Sequence, residues 1–247
     1  MRKTTLARLL ARPAAATVLL ACSGGISMAA VVQNPPASAD LAQSVAASFR
    51  RISADPDFVE IKNGPAVQVD LRYATTNNFT HTNLYGDFHR AYLRRVAAEK
   101  FETAEAILER EHPGWKFLIW DALRPRSVQW VFWNRVPGTP REKERYVANP
   151  ASGSIHNFGC ALDLTLVDEH GKPLDMGTDF DDFSQAAEPD REQAMLKKGR
   201  LTPAQIANRL ILRKVMTRAG FIQLQQEWWH YDALPAHVVK ARYKIVE

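Results

Sequence analysis

Cysteine is almost missing from this chain: only Cys22 and Cys160 occur in 247 residues. Cys22 lies in or beside an apolar stretch near the amino terminus. The remainder therefore has no internal disulfide, and its stability must come from the core and from any bound metal. Long apolar runs are lacking too. Residues 14–21 are apolar and continue loosely to Val32. Cys22-Ser23-Gly24-Gly25 interrupts them, and they fall short of the ~20 residues a membrane span requires. There is no internal repeat, low-complexity tract or linker, so the chain reads as one domain beyond its leader. An excess of one charge is also absent. The formal net charge is +5, but Arg2, Lys3, Arg8 and Arg12 fall in the first 39 residues, which carry no acid. Setting those four aside leaves 28 of the 32 basic residues against 27 acidic ones. Nucleic-acid binding has no electrostatic support from that balance.

The amino terminus itself reads as an export signal. A basic stretch precedes the apolar run, and Ala37-Ser38-Ala39 before Asp40 has the small-x-small pattern of a cleavage site. The expectation is a signal peptide over residues 1–39 and an exported domain over 40–247, periplasmic or extracellular. A second reading takes Leu19-Leu20-Ala21-Cys22 as a lipoprotein signal over residues 1–21, leaving a lipid anchor on Cys22.

Periodicity predicts an α+β fold. Helical spacing covers residues 41–52 and 92–110, the latter with Val96, Phe101, Ala104 and Leu108 and a stop at His112-Pro113-Gly114. Strands are expected over 66–71, 115–120 and 162–167, with extended segments over 221–224 and 228–231. Pro125 favours a helix starting near Arg126. Residues 75–86, 137–150 and the stretch after 169 through Asp190 read as connections. The helix over 203–219, closed by Gly220, has the clearest signal. The whole predicts a mostly antiparallel sheet with flanking helices.

Two segments carry chemistry. One is Ser154-x-His156-x-x-Gly159-x-Ala161-x-Asp163; the other is Glu227-Trp228-Trp229-His230. Together they hold two imidazoles, a carboxylate and a second carboxylate beside the last imidazole. A catalytic zinc needs three protein ligands, an open position and a base that does not itself ligate. Gly159 allows the chain to bend between His156 and Asp163. Glu227 and His230 are three apart and would face opposite ways on a regular strand, so the segment must turn or Glu227 must end it. Trp228 and Trp229 read equally as core or as the dry wall of a metal site.

The joint pattern resembles the zinc D,D-peptidases of bacterial cell-wall metabolism, and within them the D-alanyl-D-alanine dipeptidases. The supporting segments are Leu71-Arg72-Tyr73-Ala74-Thr75-Thr76-Asn77-Asn78-Phe79-Thr80, Trp120-Asp121-Ala122-Leu123-Arg124-Pro125, the His156 motif, Met176-Gly177-Thr178-Asp179-Phe180-Asp181 and the His230 motif. The resemblance implies one Zn²⁺ held by His156, Asp163 and His230, with Glu227 as the general base that takes a proton from the activated water. It implies that Arg124 stabilises the oxyanion, although a strand-end salt bridge is the plainer account of that arginine. Asp181 would receive the ammonium of a small D-dipeptide, with Asp179 and Asp182 as neighbours that could take its place. Ser154 would contact substrate or simply bond its own turn. Leu123 stands where the family commonly has an aromatic residue, a change expected to alter the pocket's shape. Cys160 should point away from Asp163, and His81, His89, His112, His170 and His237 fall outside the motifs. The implied activity is zinc-dependent hydrolysis of D-alanyl-D-alanine in cell-wall turnover. A D,D- or L,D-carboxypeptidase or endopeptidase on longer peptides, and a zinc-stabilised binding module without catalysis, are the alternatives.

Overall fold

The computed structural model describes residues 38–247, so Cys22 and all but the last two residues of the expected leader lie outside the described residues. The first element, α1 (Ser38–Ser53), begins two residues before the expected cleavage point. Its apolar face is Leu41, Val45, Phe49 and Ile52, all buried, at the spacing of one helical stripe. Then follow β1 (Phe58–Ile61), β2 (Val67–Val69), β3 (Ala91–Arg94), α2 (Arg95–Glu111), β4 (Lys116–Asp121), α3 (Arg126–Arg135) and α4 (Pro140–Lys143). The chain continues through β5 (Ala161–Val167), α5 (Glu192–Lys197), α6 (Pro203–Arg218), β6 (Ile222–Gln223), β7 (His230–Asp232) and α7 (Ala236–Arg242). No helix among the described residues is long and apolar enough to cross a membrane.

Five strands form the main sheet in the order β2-β4-β5-β7-β6; β2 and β4 are parallel and the remaining pairs antiparallel, while β1 and β3 form a separate antiparallel pair. The fold is α+β with a mostly antiparallel sheet, as the periodicity predicts. β5 lies at the centre and is buried along its whole length. Alternation sends Leu162, Leu164 and Leu166 to one face, and Asp163 and Thr165 to the other. Leu166 pairs with Phe117 on β4, and Phe117 meets Phe101 of α2 at 5.1 Å between ring centroids. The leucine face is therefore the helix-covered core, which leaves the Asp163 face for chemistry. α6 starts as its sequence requires: Thr202 Oγ accepts from Gln205 N, Gln205 Oε1 accepts from Thr202 N, and Pro203 occupies the first turn.

Several expectations need correction. Residues 92–94 are strand, not helix: all of β3 is buried against β1, and Arg94 N donates to Gly159 O at 2.7 Å. Those partners are remote in sequence, so local periodicity ran the helix too far back. Val96 is accordingly only half-buried, and the buried stripe of α2 runs through Ala97, Phe101, Ala104 and Leu108. Trp228 and Trp229 form a turn, not a strand, and β7 starts at His230. Residues 58–61, 192–197 and 236–242, unassigned by periodicity, form β1, α5 and α7. Leu123 is core: it is buried, its amide donates to Tyr92 O, and it does not line the functional cavity.

Gly159 is the hinge of the site. It sits at φ 70° and closes the short 3-10 turn Ile155–Phe158 before the chain enters β5. A Cβ there would come 2.8 Å from the Phe58 ring and 3.2 Å from Arg94 N. Gly159→Ala should destabilise the fold by about 2–4 kcal/mol, combining left-handed strain with a clash against backbone. Denaturant unfolding checks this, and a loss below about 1 kcal/mol would contradict it.

Candidate metal centre

The sheet register assembles most of the site. In β5, Asp163 pairs across with Asp121 at the end of β4 and with His230 at the start of β7. Paired residues of neighbouring strands project from the same face, so three titratable side chains form one row. His156 joins from the 3-10 turn preceding Gly159. His156 Nε2 lies 3.2 Å from Asp163 Oδ2, His230 Nδ1 lies 3.0 Å from Asp163 Oδ1, and the two imidazole nitrogens are 3.1 Å apart. All three residues are buried.

The outer nitrogens explain which inner ones are free. His156 Nδ1 donates to Ala122 O at 2.6 Å, and His230 Nε2 donates to Asp232 Oδ1 at 2.8 Å. Neither acceptor can donate, so both rings turn a lone pair toward Asp163 once they are neutral. Burial alone would raise the Asp163 carboxyl, but the two imidazoles outweigh it and hold it well below the usual range. Burial would likewise lower His230, and Asp232 with Asp163 outweighs that and holds it high. Two nitrogens and an ionised carboxylate oxygen converging at one buried point fit a divalent cation of the zinc type.

Glu227 stands beside this triad without belonging to it. The turn through Trp228 and Trp229, tied by Trp228 N to Ala187 O and by His230 N to Glu227 O, brings Glu227 Oε2 to 3.8 Å from His230 Nδ1. That turn meets the geometric demand made by the three-residue spacing. Burial pushes Glu227 up to about 8, His230 opposing and Asp163 and Asp181 adding to it. A cation held by the triad would act in the same direction as His230. The tryptophans are buried; Trp229 walls the cavity, whereas Trp228 points behind it and donates its indole N–H to Thr178 Oγ1.

Arg124 is both a salt-bridge residue and a cavity residue. Its guanidinium lies 2.7 Å from Asp121 Oδ2 and 3.4 Å from Asp163 Oδ2, and Nη1 donates to Gln129 Oε1 at 3.0 Å. It relieves the repulsion between the two carboxylates that face each other across β4 and β5. Tyr85 adds a hydroxyl donor to Asp121 at 2.7 Å. Asp181 has φ 61°, and its carboxylate accepts from Tyr73 OH at 2.9 Å and Phe79 N at 3.1 Å. Burial pushes its carboxyl up to about 7, the two hydrogen bonds offsetting only part of that. Asp179 and Asp182 do not line the same cavity, and Asp182 is engaged by Ser184 N. Ser154 Oγ caps the 3-10 turn by accepting from His156 N, and also lines the cavity.

One cavity of about 250 Å³ therefore has His156, Asp163, His230, Glu227, Arg124, Asp181 and Ser154 in its walls. The sequence reading missed the supporting residues Asp121, Asp232, Tyr73 and Gln129. Asp232 had a usable signal, because a carboxylate two positions after His230 on a strand shares its face. Cys160 is buried in a separate apolar cluster with Ile155, Phe158 and Val239, and burial pushes its thiol up to about 11. The five remaining histidines are not part of the donor cluster.

Comparison with known proteins supplies the name for this arrangement. Residues 56–246 match a family model described as D-ala-D-ala dipeptidase. The chain is 34% identical over 168 residues to a D-alanyl-D-alanine dipeptidase of Escherichia coli (strain K12), covering 68% of this chain and 79% of that one. It is 32% identical over 183 residues to one of Enterococcus faecalis (68% of this chain, 86% of that one) and 30% identical over 190 residues to one of Enterococcus faecium (70% and 87%). With a family match over most of its length and a buried three-donor cluster at the end of its central strands, this chain belongs to the D-ala-D-ala dipeptidase family of metallopeptidases.

Proposed function

We propose that this protein is a zinc-dependent dipeptidase that hydrolyses D-alanyl-D-alanine to two D-alanines. The observation that carries the reading is a single cavity holding a three-donor cluster, a separate carboxylate beside it and a second buried carboxylate further along the wall. His156, Asp163 and His230 would hold the ion. A zinc ion bound there would supply Lewis acidity to a water and to the scissile carbonyl. Glu227 takes the proton from the attacking water and returns it to the leaving amine. Arg124, fixed by Asp121 and Gln129, offers its remaining Nη1–H to the developing oxyanion. Asp181 accepts the substrate's free ammonium, which limits the substrate to a dipeptide. Ser154 offers a hydroxyl to the same ligand.

The proposed setting is outside the cytoplasm, on the strength of the leader pattern in residues 1–39, with an acyl anchor on Cys22 as the variant form. There the substrate would come from cell-wall peptide turnover. Purified protein beginning at Asp40 should release D-alanine from D-alanyl-D-alanine and not from L-alanyl-L-alanine. A chelator should abolish the release and added Zn²⁺ should restore it. N-acetyl-D-alanyl-D-alanine or a pentapeptide stem hydrolysed as fast as the dipeptide would turn the assignment to a carboxypeptidase. Metal uptake without hydrolysis of any of these would leave a binding module.

A further inference from the structure

The dipeptidase reading gives the substrate's ammonium a partner and leaves its carboxylate without one. We propose that Lys240 receives the C-terminal carboxylate and makes the enzyme select free-acid dipeptides over C-terminally blocked ones; this rests on the dipeptidase reading. The charges around the cavity carry the inference. Its cationic or protonatable basic side chains are Arg124, His156, His230 and Lys240. Arg124 is committed to Asp121 and Asp163, and both imidazoles face Asp163. Lys240 alone pairs with no carboxylate among the described residues; its Nζ donates to Ser152 Oγ at 3.3 Å, and a hydroxyl neutralises no charge.

The helix is set to hold it there. Ala236 and Lys240, four apart on α7, both line the cavity. Val239, on another face, is fully buried with Ile155, Phe158 and Cys160, which seats α7 on the turn that carries His156. Lys240 thus belongs to the wall of Gly153 and Ser154, whereas Asp181 belongs to the wall of Tyr73 and Phe79. A zwitterion lying between them would have each end matched to an opposite charge. Ser154 Oγ accepts from His156 N and keeps its own proton to donate to the same carboxylate.

The test compares D-alanyl-D-alanine with D-alanyl-D-alaninamide on the purified enzyme and its Lys240→Met and Lys240→Arg variants. Lys240 is exposed, so neither change threatens folding. The parent enzyme should prefer the acid by about 5-fold in kcat/KM, the scale of one solvent-accessible charge pair, with the difference in KM. Lys240→Met should bring that ratio toward 1, and Lys240→Arg should restore it. A ratio that survives in Lys240→Met, an equal loss on acid and amide, or a parent enzyme without preference overturns the proposal. A parent enzyme that releases no D-alanine from the acid overturns the dipeptidase reading and this inference together.

Discussion

Glu227→Gln should lower kcat by about 10³-fold while the protein keeps its full complement of metal. The geometry separates the two readouts. Glu227 approaches His230 Nδ1 only to 3.8 Å, while the three donors of the cluster lie 3.0–3.2 Å from one another. Glutamine preserves the shape and the acceptor oxygen and loses the ability to take a proton. Burial raises Glu227 and a cation held by the triad would lower it again, so the substitution removes a group able to exchange a proton near neutral pH and not a spectator. Metal analysis beside steady-state kinetics checks both halves. A variant within tenfold of the parent in kcat would remove Glu227 from the proton path, and a variant stripped of metal would make it a ligand.

Asp181→Asn should move activity and stability in opposite directions. In activity, if Asp181 receives the dipeptide's ammonium as proposed, that counter-charge is lost and kcat/KM should fall by about 10²-fold, as expected when one partner of a desolvated charge pair is truncated. Stability follows the sign of the shift. Burial raises Asp181 to about 7 in the folded protein, above the ~3.9 of an unfolded chain. The folded state therefore holds the proton that the unfolded state has released, and stability declines as pH climbs from ~4 to ~7. Asparagine has no proton to lose, tolerates the left-handed backbone at φ 61°, and can still bond Tyr73 and Phe79. The variant should exceed the parent by about 2 kcal/mol above pH 7, with the gap closing below pH 4. Denaturation at pH 4 and pH 8 measures this. An equal difference at both, or a variant less stable at pH 8, would show that the carboxylate is not strained by burial.

What could be read from the chain divides along physical lines. Amphipathic stretches that bury one stripe, as in α1 and α6, announce themselves through spacing and caps. Gly159 was legible because a bend between two donors needs a residue free to take positive φ. β3 was not, since Tyr92 and Leu93 owe their extended state to β1 and to the chain at Gly159, neither of which is local. The candidate donors were recognisable as residue types in a pattern. Their orientation was not, because the acceptors that turn the two rings, Ala122 O and Asp232, come from tertiary approach and from a strand whose start the tryptophans obscured. Arg124 could be read two ways from sequence, and the structure gives it both surroundings. Leu123 sits beside the motif yet packs in the core, because position beside a motif does not decide which way a side chain points.

The two imidazoles that meet at 3.1 Å are separated by 74 positions, and the later one arrives only with β7. A ribosome or a translocation pore that still holds β7 leaves His156 and Asp163 as an incomplete pair. If the precursor is exported, as proposed from residues 1–39, the site stays incomplete until that last strand is released and pairs with β5. The hydrolase would then be armed only by the arrival of its final strand.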